Sequence, residues 1–259
     1  MNTFQSKNHH KKLNCKLLTS LLAFAPVSSF AATDLLNSEQ WNLSGNVTLA
    51  SDYRWRGLSM TQNEPAIQGG LRVTHESGLY AGVWASNTDV LNGASIEADF
   101  MLGYRYAINK QTGFTFQYID INYPGATSSF ETDFSEFSIA LDRTSLFKKN
   151  DAFTTSLAFS PEYYAKTGNM WRFDARYDLP VFQHFGLMGA IGALKLENKQ
   201  AFYAVWGNDQ KDHYYDWKVG ITSNVFGLRS ELFYADNSNV NPNADSMKSR
   251  VVFSVTKLF

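Results

Sequence analysis

Apolar and polar side chains alternate one by one over stretches of about ten residues, and this is the strongest structural signal in the sequence. In MWRFDARYDL, Trp171 and Phe173 alternate with Arg172 and Asp174, and the same pattern runs through residues 41–55. Successive side chains on a strand point to opposite faces, so each stretch predicts a strand with one apolar and one polar face.

The lengths of the connections decide between the two kinds of protein that alternate in this way, soluble β-sandwiches and membrane barrels. The connections at residues 75–78 and 224–227 are tight, whereas ENKQAFYAVWGNDQKDHYYD is very long. Short turns that alternate with long loops, together with aromatic residues at the strand ends, are typical of outer-membrane barrels. No window after residue 31 holds 18 consecutive apolar residues, which excludes helical membrane spans.

We therefore predict an all-β fold, an antiparallel transmembrane β-barrel of about twelve strands with short periplasmic turns and long outer loops. An even number of strands places both ends of the chain on the periplasmic side. The predicted strands lie near residues 42–56, 65–75, 79–87, 94–106, 113–123, 133–142, 152–160, 169–179, 185–194, 214–223, 227–236 and 248–258.

The N-terminal segment has the pattern of a secretory signal. Four lysines precede the apolar stretch LLTSLLAFA, which is too short to span a bilayer as a helix, and small residues follow near residue 31. We predict a cleaved signal peptide at 1–31, a short periplasmic leader at 32–40 and a single barrel at 41–259, in the outer membrane of a Gram-negative bacterium. The single cysteine, Cys15, lies in the signal peptide, so the mature chain is expected to be free of thiols.

Charge argues against a nucleic-acid partner. Loss of residues 1–31 removes four lysines and no acid, so the formal charge falls from −1 to −5. Nucleic-acid-binding domains are usually basic. The expected partners are instead outer-membrane lipid and a small hydrophilic solute.

The polar faces of the predicted strands carry charges of both signs, which predicts a lumen with weak charge selectivity. Arg54 and Arg56 flank Trp55, and the alternation places both arginines inside the barrel and the tryptophan outside. The predicted pore-lining residues are Arg54, Arg56, Arg72, Glu97, Asp99, Arg172, Asp174, Arg176 and Asp178.

Aromatic residues at the strand ends are expected to anchor the barrel in the lipid headgroup region. The predicted anchors are Trp41, Trp55, Trp171 and Phe259. The last strand, SRVVFSVTKLF, alternates up to its terminal aromatic residue and is expected to direct the chain to the barrel-assembly machinery. Lys257 interrupts its apolar face, but a lysine near the bilayer edge can snorkel to water at little cost.

Enzyme chemistry has weak support. The sequence lacks the nucleophile elbow, zinc pair and phosphate-loop motifs. Glu97 and Asp99 share a strand face roughly 7 Å apart, a spacing that paired hydrolytic carboxylates can have, although a carboxylate lining of the lumen is the simpler interpretation. The mature histidines, His75, His184 and His213, fall at connections. We expect no catalytic residue, metal or cofactor.

A cluster of residues in the first half of the chain resembles a known family. These residues are Tyr53, Arg56-Gly57-x-Ser59-x-Thr61, Pro65-Ala66-x-Gln68-Gly69-Gly70 and His75-Glu76-Ser77-Gly78-x-Tyr80-x-Gly82-x-Trp84-x-Ser86-Asn87. The pattern resembles the Gcw_chp family of Proteobacteria, also called the TorF family of porins. The resemblance implies an outer-membrane barrel and carries no catalytic or ligand residues.

Three functions remain open from the sequence. The first is a porin for passive diffusion of small hydrophilic solutes through a narrow, mixed-charge lumen. The second is an outer-membrane hydrolase that acts on lipid or peptide at the rim. The third is a closed barrel with a structural or adhesive role.

Overall fold

The computed structural model describes residues 40–127, 131–208 and 211–259. The predicted signal peptide at 1–31, and all of the predicted leader except Gln40, lie outside the described residues. No helix within the described ranges is long and apolar enough to cross a membrane.

Twelve antiparallel strands form a closed barrel, as predicted. Every strand pairs with its sequence neighbours, and the first pairs with the last, so that no strand edge of the barrel is left unpaired along the described chain. The strands are β1 (Trp41–Ala50), β2 (Ala66–His75), β3 (Leu79–Asn87), β4 (Ile96–Ala107), β5 (Thr112–Asn122), β6 (Phe134–Thr144), β7 (Ala152–Ser160), β8 (Met170–Pro180), β9 (Phe185–Leu196), β10 (His213–Val225), β11 (Leu228–Ser238) and β12 (Arg250–Leu258).

The two ends of the barrel differ in their connections. Short turns join β2 to β3, β4 to β5, β6 to β7, β8 to β9 and β10 to β11, at the end where β1 begins and β12 finishes. Long loops join the strands at the other end, and one of them contains the helix α1 (Lys199–Trp206). Because outer-membrane barrels have short periplasmic turns, the end with long loops is the outer one.

Side chains alternate between the two faces of the wall as the sequence indicates. The outward positions are apolar and exposed; among them are Leu49 at 58%, Phe100 at 55% and Ile191 at 59%. A band of exposed apolar side chains around a closed barrel is stable when lipid covers it. The inward positions carry most of the charged side chains of the strands.

The first strand is shorter than predicted, and this changes the interior of the barrel. Strand β1 ends at Ala50 rather than near residue 56, and residues 52–61 turn inward as a hairpin that we call the inward hairpin. Its tip has positive φ at Arg56 (51°) and at Gly57 (78°), a conformation that glycine adopts without steric cost. The Asp52 carboxylate closes its base by accepting hydrogen bonds from Ser59 Oγ at 2.5 Å and Thr61 Oγ1 at 3.1 Å.

Loop residues fill the outer half of the barrel with an apolar core. The inward hairpin, the loop after β7 and helix α1 pack together and against inward side chains of the wall. Buried rings dominate this core, and Tyr163 stacks on Trp206 with centroids 6.2 Å apart. Its buried aromatic residues are Tyr53, Trp84, Tyr123, Phe134, Tyr163, Phe202, Trp206 and Tyr214.

A glycine on β9 makes room for a buried arginine. The sequence FGLMGAIGAL predicts a strand of small side chains beside something that packs closely in the lumen. A Cβ at Gly192 would collide with the guanidinium of Arg172, whereas a Cβ at Gly189 would meet nothing within 4 Å. Arg172 is held by two aspartates and cannot easily move aside.

Gly192→Ala is therefore expected to destabilise the barrel by about 1–3 kcal/mol, the usual cost of overpacking. The measurement is the midpoint of urea unfolding in detergent. The folded fraction is read from gel electrophoresis, in which folded and heat-denatured protein differ in mobility. Gly189→Ala is the matched control on the same strand and should change the stability by less than about 0.5 kcal/mol. Equal losses in the two variants would contradict the packing of Arg172 against Gly192.

Candidate functional site

The candidate functional site is the lumen, which the inward hairpin crosses. Two bonds between Arg56 and the Glu136 carboxylate, each 2.7 Å long, hold one side of the hairpin to β6. On the other side, Asn237 Nδ2 of β11 donates to the Gly57 carbonyl at 3.0 Å. Strands β6 and β11 lie five positions apart in a ring of twelve, so the hairpin spans almost the full diameter.

Further contacts fix the hairpin in place. Tyr53 Oη donates to Glu97 Oε1 at 3.0 Å, and the ring of Trp55 stacks on Phe134 with centroids 6.1 Å apart. Arg54 donates to Asp52 at 2.7 Å and to the carbonyl of Lys248, in the last outer loop, at 2.7 Å. The hairpin is thus tied to the wall and to a neighbouring loop.

Two of the hairpin's titratable groups keep their ordinary ionisation states. Burial would lower the pKa of Arg56, but the Glu136 carboxylate outweighs it and raises this pKa above its usual value. Burial and the nearby Glu97 raise the pKa of Tyr53, so its hydroxyl stays protonated and can donate. The Arg56 guanidinium and the Tyr53 hydroxyl therefore keep their protons at neutral pH.

A cavity of about 440 Å³ lies inside the barrel, beside the hairpin. At one end it is lined by Tyr53 and Arg56 of the hairpin. At the other end it is lined by Asn46 of β1 and Leu258, the last residue of β12. It therefore reaches from the hairpin towards the periplasmic end. Seven carboxylates line it, namely Asp52, Glu97, Asp99, Glu136, Asp174, Asp216 and Glu231, with six cations, namely Arg54, Arg56, Arg172, Arg176, Lys218 and Arg229.

One wall of the cavity, built from β8 to β11, is a ladder of ion pairs. Arg172 is 1% exposed and bonds to Asp174 at 2.5 Å and to Asp216. Lower on the same wall, Arg176 pairs with Asp178 at 2.7 Å and with Glu231 at 2.8 Å.

Two further cations complete this wall. Arg229 also reaches Glu231, at 2.9 Å. Lys218 Nζ lies 5.0 Å from the ring centroid of Phe233 and has no ion pair within the described residues.

The opposite wall, built from β4 to β6, is acidic. It carries Glu97, Asp99 and Glu136, and the cation that faces it, Arg56, belongs to the inward hairpin. Asp99 is 4% exposed, and its Oδ1 has no hydrogen-bond partner among the described residues.

Seven of the nine residues predicted to line a pore border the cavity, and Arg72 and Asp178 do not. Arg72 lies inside the barrel with its guanidinium 4.2 Å from the ring of Tyr80. Asp178 belongs to the ion-pair ladder. The alternation also puts Glu136, Asp216, Lys218, Arg229 and Glu231 on polar faces, but it could not show which of them would pair.

The prediction that Trp55 is a lipid-facing anchor is wrong. It assumed that the strand continues to residue 56, whereas the chain leaves the wall at Ala50 and carries Trp55 into the lumen. There the Arg56 guanidinium lies 4.2 Å from the centroid of the Trp55 ring. The other proposed anchors are exposed, with Trp41 at 41%, Trp171 at 43% and Phe259 at 44%.

Metal ligands and histidines are the other side chains that could carry chemistry. Within the described residues there is no group of three or more histidine, cysteine or carboxylate side chains that could hold a metal ion. His75 Nδ1 contacts Ser77 Oγ at 2.9 Å, at the periplasmic end of β2, and the His75 ring packs against the ring of Trp41.

Comparison with known proteins gives a family and a fold. Residues 37–259 match the model of a family described as a bacterial protein of unknown function, Gcw_chp. No curated protein matches the sequence. The match confirms the resemblance to Gcw_chp, and the TorF name stays a prediction.

Two porins are among the solved structures that resemble this chain in fold. The NanC porin superposes with a TM-score of 0.53 at 9% identity, covering 84% of this chain and 98% of that one. The KdgM porin, in complex with disordered oligogalacturonate, superposes with a TM-score of 0.51 at 6% identity, covering the same shares. At these identities the likeness shows the fold, an outer-membrane barrel, and not the solute.

Proposed function

This chain belongs to the Gcw_chp family of bacterial proteins of unknown function, and we propose that it is a narrow outer-membrane channel. It lets small hydrophilic solutes diffuse passively through a lumen of mixed charge. The inward hairpin, packed against the loop after β7 and helix α1, forms its constriction.

The observation that carries this proposal is the polar cavity beside the hairpin. A barrel that served only as a scaffold could fill its bore with side chains, as small barrels do. Here a space of about 440 Å³ remains, bordered by charged groups of both signs. A volume of this order holds a small organic solute.

The charge balance limits what such a channel would pass. Seven carboxylates and six cations border the cavity, so it has no large excess of either sign. Selectivity for one sign of charge needs a ring of that sign at a constriction. The lumen is thus poorly suited to a polyanion such as the oligogalacturonate bound by the KdgM porin.

The test is single-channel recording of the purified protein in planar bilayers. We expect small, discrete conductance steps, because the hairpin leaves little of the bore open. Absence of steps at every voltage and salt concentration, in a preparation shown to be folded, would refute the channel and favour a closed barrel with a structural or adhesive role.

Arg56→Gln is expected to shift the channel towards cations, because it removes the cation that neutralises Glu136 at the constriction. The shift is measured as the reversal potential in a potassium chloride gradient. Lys148→Ala, in a periplasmic turn away from the lumen, removes the same charge and should leave this potential unchanged. If the two variants behave alike, Arg56 does not set the selectivity.

Membrane assembly follows from the outer face and the last strand. We propose that Trp41, Trp171 and Phe259 anchor the barrel in lipid and that β12 is recognised by the barrel-assembly machinery after export and removal of residues 1–31. Strand β12 closes the barrel by pairing with β1 and β11. Lys257 lies 3.4 Å from the Gly227 carbonyl in a periplasmic turn, which keeps its charge out of the hydrocarbon.

A further inference from the structure

Asp99 is a buried carboxylate that borders the cavity and makes no ion pair within the described residues. It lies on β4, directly opposite Trp84 of β3, and both side chains line the cavity. Only 4% of the residue is exposed, and Oδ1 has no hydrogen-bond partner in the described part of the chain.

The other inward-facing carboxylates of the described chain differ from Asp99 in this respect, because each has a hydrogen-bonded partner. The pairs are Asp52 with Arg54, Glu97 with Tyr53, Glu136 with Arg56, Asp142 with Arg105, Asp174 and Asp216 with Arg172, and Asp178 and Glu231 with Arg176. A buried carboxylate without a partner is costly and is rare in folded proteins. Asp99 therefore stands out as a group whose partner comes from outside the chain.

We propose that Asp99 and Trp84 form a binding subsite for the ammonium group of a small organic cation or zwitterion inside the lumen. The inference rests on the proposed channel function and names the class of solute that the channel favours.

The surroundings of Asp99 suit an organic cation rather than a metal ion. Residues directly opposite on antiparallel strands have Cβ atoms roughly 5 Å apart, so the Trp84 ring lies beside the carboxylate. A tryptophan face attracts an ammonium group, most strongly where water is excluded. Tyr53 packs edge-on against Trp84 with centroids 5.4 Å apart and holds the indole in place.

The charge across the bore favours a zwitterion in particular. Strand β10 lies six positions from β4 in the ring of twelve, so its lumen face is opposite Asp99. That face carries Lys218, which has no ion pair within the described residues. A solute that carries both an ammonium group and a carboxylate can place its ammonium group at Asp99 and its carboxylate at Lys218.

Isothermal titration of choline chloride into the folded, detergent-solubilised protein tests the subsite. We expect binding in the millimolar range to the wild type. Asp99→Asn has the same shape without the charge and should weaken binding about tenfold or more. Trp84→Leu should weaken it by a smaller factor.

Asp120→Asn is the matched control, because Asp120 lies on the neighbouring strand β5 but does not line the cavity. It should bind choline as the wild type does. Absence of choline binding to the wild type, or equal binding by wild type and Asp99→Asn, would overturn the subsite.

Bilayer recordings on the same preparations separate this inference from the channel proposal. Conductance without choline binding refutes the subsite and leaves the channel standing. Choline binding that depends on Asp99, in a protein without conductance, supports the subsite and refutes the channel.

Discussion

Removal of the tip of the inward hairpin is expected to raise the single-channel conductance several-fold. The change replaces residues 54–59 with Asn-Gly. Tyr53 and Met60 are suitable end points, because Met60 N already donates to the Tyr53 carbonyl at 2.8 Å, as the ends of a two-residue turn do. The cut removes Trp55, Arg56 and Gly57, which cross the bore, and leaves the wall unchanged.

The size of the rise in conductance shows whether the hairpin is a constriction or only a surface loop. Conductance depends steeply on the narrowest part of a pore, so an element that spans the bore should dominate it. Arg56→Gln loosens the hairpin but does not remove it and should give a smaller rise. If the trimmed barrel is folded, as shown by its heat-dependent mobility, and conducts like the wild type, the hairpin is not the constriction.

Loss of Arg172 is expected to destabilise the barrel severely. Arg172→Met leaves Asp174 and Asp216 without their buried cation, and their negative charges then repel each other. Removing one partner of a buried ion pair typically costs about 3–5 kcal/mol. The measurement is the free energy of unfolding in urea, in the same detergent for both proteins.

Arg229→Met is the matched control, since it removes a lumen arginine whose partners keep another cation. Asp178 and Glu231 both remain paired with Arg176 in that variant. The variant should lose about 1 kcal/mol of unfolding free energy, as is typical when an ion pair can be replaced by another. Equal losses for the two arginines would show that Asp174 and Asp216 do not depend on Arg172 alone.

A double variant gives a further check on the same cluster. Gly192→Ala should cost almost nothing in the Arg172→Met background, because the guanidinium with which its methyl group collides is gone. Additive losses would mean that Gly192 matters for another reason.

The alternation predicts the barrel wall well. Twelve strands are predicted and twelve are present, and most boundaries agree within about two residues, because one face of each strand must meet lipid. The same reasoning places Arg172, Asp174 and Arg176 inside. In lipid every backbone N–H and C=O group must be hydrogen-bonded, so strands with one apolar face can cross the membrane only as a closed barrel.

The first outer loop could not be predicted in the same way. Residues 51–55 continue the period of two, so the pattern alone extends β1 past Ala50. The end of the strand depends on contacts from distant parts of the chain. Glu136 attracts Arg56, Glu97 accepts from Tyr53, and Gly57 allows the turn.

The special position of Asp99 could not be predicted from the sequence either. Glu97 and Asp99 are equivalent in the pattern, two residues apart on one face. In the barrel Tyr53 reaches Glu97, and no described group hydrogen-bonds to Oδ1 of Asp99. Which carboxylate lacks a partner depends on where a loop folds, and local periodicity carries no information on that.

Liposome swelling with solutes of graded size tests the central claim most directly, namely that the barrel is a channel narrowed by its first outer loop. Wild-type proteoliposomes should swell faster than protein-free liposomes in amino-acid-sized solutes and should not swell faster in a trisaccharide. Replacement of residues 54–59 should admit the larger solute. Wild-type swelling no faster than that of protein-free liposomes for every solute, or equally fast swelling in the trisaccharide, would contradict the claim.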